Sequence, residues 1–190
     1  MTPVARTFSF PTPLPSSRRQ FLRRAGAIAF TLLPAAAVWA KSAATRSISL
    51  VHTHTGEQLT SVYFRDGEYV PAELERLNRL LRDFRTGDVH PIDPAVLDIL
   101  VDLRLLADRE EAFEVICGYR SPQTNAMLRS RSSGVAEHSL HLEGRALDVR
   151  LPGVSTARLR DLAMGMSRGG VGYYASSDFV HLDNGRIRHW

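Results

Sequence analysis

Apolar positions in this chain follow two different periods, and the change between them divides it. Ser47 to Val51 and Gln58 to Phe64 alternate as short strands around Thr55-Gly56-Glu57, and Asp66-Gly67 marks the next turn. Pro71 then opens a helix in which Leu74, Leu77, Leu80, Leu81 and Phe84 fall at helical spacing before Thr86-Gly87. Asp93-Pro94 supplies an N-cap and a first helical residue for a second helix striped by Val96, Leu97, Leu100, Leu103 and Leu106. Beyond it the pattern returns to short strands at Phe113 to Cys117, Arg145 to Leu151, Val171 to Tyr174 and Phe179 to Asp183. Helices are expected between them, from about Pro122 to Arg131 and Thr156 to Ser167. This order predicts an α+β fold, a small antiparallel sheet flanked by helices in one domain.

The first forty residues follow a different logic. Ser17-Arg18-Arg19-Gln20-Phe21-Leu22-Arg23 precedes an apolar run from Ala25 to Trp39 and a small-x-small stretch, Val38-Trp39-Ala40. The segment resembles a twin-arginine signal peptide, which implies recognition by the twin-arginine translocase and a periplasmic destination. Its apolar run is short for a membrane span, which needs roughly 20 residues, so no stable span is expected after cleavage. Residues 1–40 are read as this signal and residues 41–190 as the mature domain.

Charge changes the picture once it is divided in the same way. The formal net charge is +4, but residues 1–40 hold five arginines and no acidic group, leaving 19 basic against 20 acidic side chains in residues 41–190. A near-neutral mature domain argues against a nucleic-acid partner, which needs a concentrated basic surface. The single Cys117 cannot form an intramolecular disulfide and reads as a small buried side chain in Phe113 to Cys117.

The chemistry concentrates in Ser139-Leu140-His141-Leu142-Glu143-Gly144-Arg145-Ala146-Leu147-Asp148 and in Phe179-Val180-His181-Leu182-Asp183. Two histidines and a carboxylate are a ligand set with which a catalytic zinc keeps one position open for water. Alternation puts Asp148 on one strand face with Ala146 and Arg150, and His181 on one face with Phe179 and Asp183. His52, His54, His90 and His189 read as solvated or hydrogen-bonded side chains rather than ligands, the pair His52 and His54 having no carboxylate at suitable spacing, while His138 could reach the metal or the substrate.

The Ser-x-His-x-x-Gly-x-Ala-x-Asp motif at Ser139, His141, Gly144, Ala146 and Asp148, with Phe-Val-His-x-Asp at 179–183, resembles the zinc D-Ala-D-Ala peptidase and hedgehog-like superfamily, particularly its exported branch. The likeness runs from about Arg46 to Trp190. It implies Zn2+ held by His141, Asp148 and His181, a substrate-carboxylate grip by Arg120, and a hydrogen bond from Ser139 to the substrate backbone. The implied activity is hydrolysis of peptidoglycan stem peptides, cross-links or muropeptides by a metal-activated water. Better-known members carry Glu three residues before the last histidine, where this chain has Asp178. Asp183 competes with it for the role of base, and could instead orient the His181 ring. The alternative is a metal-binding but catalytically silent wall-binding or structural module.

Overall fold

The computed structural model describes residues 45–132 and 134–190. The segment read as a signal peptide, residues 1–40, lies outside the described residues. Strands β1 (Thr45–His52), β2 (Gln58–Arg65) and β3 (Glu68–Tyr69) lead into helices α1 (Pro71–Leu80) and α2 (Pro94–Leu106). Strand β4 (Phe113–Cys117) and helix α3 (Pro122–Arg131) follow, then a 3-10 turn at Leu140–Glu143 and strand β5 (Ala146–Arg150). Helix α4 (Thr156–Met166) precedes β6 (Gly170–Tyr174), β7 (Phe179–Asp183) and β8 (Arg188–His189).

The α+β class is as expected, but the sheet is neither small nor wholly antiparallel. It has eight strands in the order β3-β2-β1-β4-β5-β7-β6-β8. β1 and β4 run parallel because α1 and α2 together carry the chain across between them. β8 runs parallel to β6 because the chain reverses twice, at each end of β7.

Local chemistry sets the helix starts. Asp93 accepts a hydrogen bond from the Ala95 N–H with Pro94 at the first helical position, and Ser121 and Ser155 cap α3 and α4 in the same way. One core joins Leu77 of α1, Leu97, Leu100 and Leu103 of α2 and Leu159 of α4 to Val115, Leu147, Val149, Val180 and Leu182 of the sheet. Burying each such side chain contributes roughly 1.5–3 kcal/mol. Alternation then sends the residues between these apolar positions, Asp148, His181 and Asp183, to the opposite face. The helices thus fix the strands from behind, and polar side chains gather in front.

Candidate metal centre and substrate cleft

Register brings the two distant motifs together. In the antiparallel β5–β7 ladder Asp148 lies directly opposite His181. His141 arrives from the 3-10 turn, whose N-cap Ser139 accepts a hydrogen bond from the His141 N–H at 3.3 Å. Gly144 ends that turn with φ of 65°, and the Pro91 carbonyl leaves no room there for a Cβ.

The donor atoms form a near-equilateral triangle. His141 Nε2 lies 3.1 Å from Asp148 Oδ1 and 3.1 Å from His181 Nδ1, and His181 Nδ1 lies 2.8 Å from Asp148 Oδ1. Bonds of about 2.0–2.1 Å in a tetrahedral zinc site place ligand atoms about 3.3 Å apart, so one divalent ion fits above this triangle with little adjustment. The outer ring nitrogens say which inner atoms are free to coordinate. His141 Nδ1 donates to the Gly118 carbonyl at 2.7 Å, and His181 Nε2 donates to Asp183 Oδ2 at 3.1 Å. In those neutral tautomers both inner nitrogens point lone pairs at a carboxylate oxygen, an arrangement that demands a cation.

The titration of the buried groups carries the same message. Burial opposes a charged His141, but the Asp148 carboxylate and the Cys117 thiol outweigh it and push the imidazole up to about 10. Burial likewise opposes ionisation of Asp148, yet His141 and His181 hold it well below the usual carboxylate range. Without metal the cluster gathers a proton in place of the ion.

Asp183 stands behind His181 rather than in front of it. Its fully buried carboxylate accepts from His181, from the Gly170 and Gly185 N–H groups at 3.0 and 2.8 Å, and from Arg188 through both Oδ1 and Oδ2, at 3.0 and 2.7 Å. Burial favours the neutral acid, but these partners hold its pKa well down. The geometry is that of a group orienting a ring, and it corrects the expectation that Asp183 serves as base. Asp178 is no substitute. Its left-handed backbone, with φ of 50°, turns the short carboxylate to the Thr156 hydroxyl at 3.0 Å and to Arg150 at 3.4 Å, and it does not line the cleft.

The cleft in front of the triangle is lined by Arg120, His138, Ser139, Tyr174, Phe179, Arg188 and Trp190 together with the three donors. Arg120 places Nη2 3.8 Å from Asp148 Oδ2 and Nη1 3.3 Å from Asn125 Oδ1, while its buried Nε has no partner among the described residues. Ser121 fixes the turn carrying Arg120 by donating to Asp83 Oδ2 from N–H and hydroxyl, at 2.9 and 2.7 Å. His138 is exposed at the rim, and none of His52, His54, His90 and His189 lines the cleft.

Cys117 is buried, as its sequence context predicts, but it is buried beside the site. β4 shifts register between Val115 and Cys117, and this pairs Cys117 with Asp148. Its thiol lies within 4.8 Å of donor atoms on His141 and Asp148. No periodic signal announces that bulge.

Comparison with known proteins gives the family. The model described as peptidoglycan L,D-endopeptidase MepK matches residues 40–190. The chain belongs to this family. Through it the chain joins the zinc D-Ala-D-Ala peptidase and hedgehog-like superfamily that the motifs resemble. Peptidoglycan L,D-endopeptidase MepK of Escherichia coli K12 is 39% identical over 177 residues, 92% of this chain and 97% of that protein, and the Shigella flexneri protein of the same name matches equally well. The probable peptidoglycan L,D-endopeptidase MepK of Haemophilus influenzae is 37% identical over 92% of this chain and 95% of its own length. No solved structure matches.

Proposed function

We propose that this peptidase cuts L,D cross-links between peptidoglycan stem peptides, with Zn2+ held by His141 Nε2, Asp148 Oδ1 and His181 Nδ1. The observation that carries the reading is the triangle of two imidazole nitrogens and a carboxylate oxygen, 2.8 to 3.1 Å on a side, open toward a cleft. The bound ion would lower the pKa of its water from about 15.7 to about 7 and polarise the scissile carbonyl. The protein supplies the remainder. Gly118 and Asp183 lock the two imidazoles in their coordinating tautomers. Arg120, a cleft-lining guanidinium with its Nη2 beside Asp148, grips a substrate carboxylate, and Ser139 at the cleft wall meets the peptide backbone. With Asp178 and Asp183 turned elsewhere, His138 is the cleft-lining imidazole outside the ligand set, and in this reading it would take the water's proton, with the Tyr174 phenol as the other titratable lining group.

The L,D preference follows the names of the relatives at 37–39% identity. Incubation of the zinc-loaded protein with purified peptidoglycan, followed by mass analysis, tests it: L,D-cross-linked dimers should disappear while D,D-linked dimers persist. Loss of the D,D-linked dimers instead would refute the bond assignment. A second reading, a silent metal-binding wall module, draws on the absence of both expected carboxylates from the cleft. Intact peptidoglycan after incubation with stoichiometrically loaded protein would establish it. The peptidoglycan substrate and the twin-arginine-like motif at Arg18-Arg19 support export to the periplasm by the twin-arginine route. Arg18→Lys with Arg19→Lys should leave it in the cytoplasm on fractionation, and among the described residues no helix is long and apolar enough to cross a membrane.

A further inference from the structure

Trp190 is 51% exposed, yet its indole is held from several sides. Nε1 donates to the Tyr174 hydroxyl at 3.0 Å, the ring centroid lies 5.3 Å from that of His181, and the Arg188 guanidinium carbon sits 5.0 Å from it. Main-chain bonds from Tyr173 N–H to the Trp190 carbonyl and from Trp190 N–H to the Val171 carbonyl fix the backbone. Gly172 provides the floor, since a Cβ there would come within 2.7 Å of the indole. Tyr174 in turn stacks on Phe179 at 4.6 Å. A half-exposed aromatic side chain ordinarily gains little from such restraint. One pinned with a face open to the cleft is pre-organised for contact with a ligand, because the entropy of ordering it has already been spent in folding.

We infer that Trp190, seated on Gly172 and tied to Tyr174, is the platform for the aliphatic part of the stem-peptide residue flanking the scissile bond. This rests on the endopeptidase reading for the identity of the substrate. The nearness of the indole to His181 assigns it to the residue beside the cleaved bond rather than to the glycan, which lies farther along the substrate. Trp190 is thus a positioning residue, expected to act on binding more than on chemistry.

The test uses the full chain with Trp39→Phe, so that Trp190 is the sole indole. In the metal-free protein, a cross-linked muropeptide dimer should shift the Trp190 emission, and the peptide-free disaccharide should not. In the zinc-loaded protein, Trp190→Ala and Gly172→Ala should each raise KM about tenfold with kcat within about twofold and zinc content unchanged, while Trp190→Phe recovers part of the loss. The inference is overturned by a silent emission with unaltered KM, by a response to the disaccharide alone, or by loss of zinc from Trp190→Ala. If the parent protein cuts nothing while its emission still answers the muropeptide, the endopeptidase reading falls and the platform stands.

Discussion

Among the described residues two histidine pairs come close together, and only one of them has a carboxylate between its rings. His52 and His54 sit at the end of β1 with ring centroids 5.9 Å apart, close to the 4.9 Å of His141 and His181. His52 is buried against Phe84, its Nε2 has no partner among the described residues, and burial lowers its pKa. His54 stacks on the same ring at 4.1 Å. The second pair differs in two respects: a carboxylate stands between the inner nitrogens, and each outer nitrogen has an acceptor that fixes its tautomer. Proximity of imidazoles is therefore not what makes a metal site. The cross-strand carboxylate and the outer acceptors do that.

Removing the carboxylate should have the largest effect. Asp148→Ala should lower zinc affinity, measured by competition with a chromogenic chelator, by more than about a hundredfold, since losing a ligand exceeds the 10–100-fold typical of losing an outer partner. Retention of tight zinc would show that Cys117 or another group had been mistaken for a bystander. Asp183→Asn comes next, with a loss of about 10–100-fold in zinc affinity and a smaller change in folding stability. The unchanged affinity of a double variant, His52→Leu with His54→Leu, would complete the contrast.

The two pairs should also differ in the pH dependence of stability when metal is absent. The folded-state pKa of His141 is raised from 6.5 to about 10, so its contribution is complete below about 6.5 and is lost as pH rises through about 10. His52 has a lowered folded pKa, so protonation of the unfolded chain erodes stability as pH falls below 6.5. Chemical denaturation across pH 5 to 10 should show both limbs. Stoichiometric zinc should abolish the alkaline limb, and His52→Leu the acidic contribution, whereas an alkaline limb that survives zinc would place the metal elsewhere. The smallest effect belongs to Asp178→Asn. It should leave kcat/KM within about twofold and cost no more than about 1 kcal/mol, because only an exposed ion pair and one hydroxyl contact change. A hundredfold loss of kcat would restore Asp178 as the base.

Much of this arrangement was legible before any coordinates. The leucine stripe of α2 and the Asp93-Pro94 start predict the helix as found, and alternation puts Asp148, His181 and Asp183 on one face. Alternation specifies faces, however, and not ring rotations. The rotation of the His181 imidazole, Nδ1 inward and Nε2 toward Asp183, decides that Asp183 orients rather than accepts a proton from water. The left-handed turn at Asp178 and the bulge that swings Cys117 to the site are breaks in periodicity, invisible to any method that reads period. The parallel β1–β4 pairing depends on where α1 and α2 deliver the chain, which local pattern does not encode.

X-ray absorption at the zinc K-edge of the stoichiometrically loaded protein measures the inner shell directly. The account predicts two imidazoles with oxygen in the remaining positions at about 2.0–2.2 Å and no sulfur. A zinc–sulfur distance of about 2.3 Å, or a shell with fewer than two imidazoles, would contradict it.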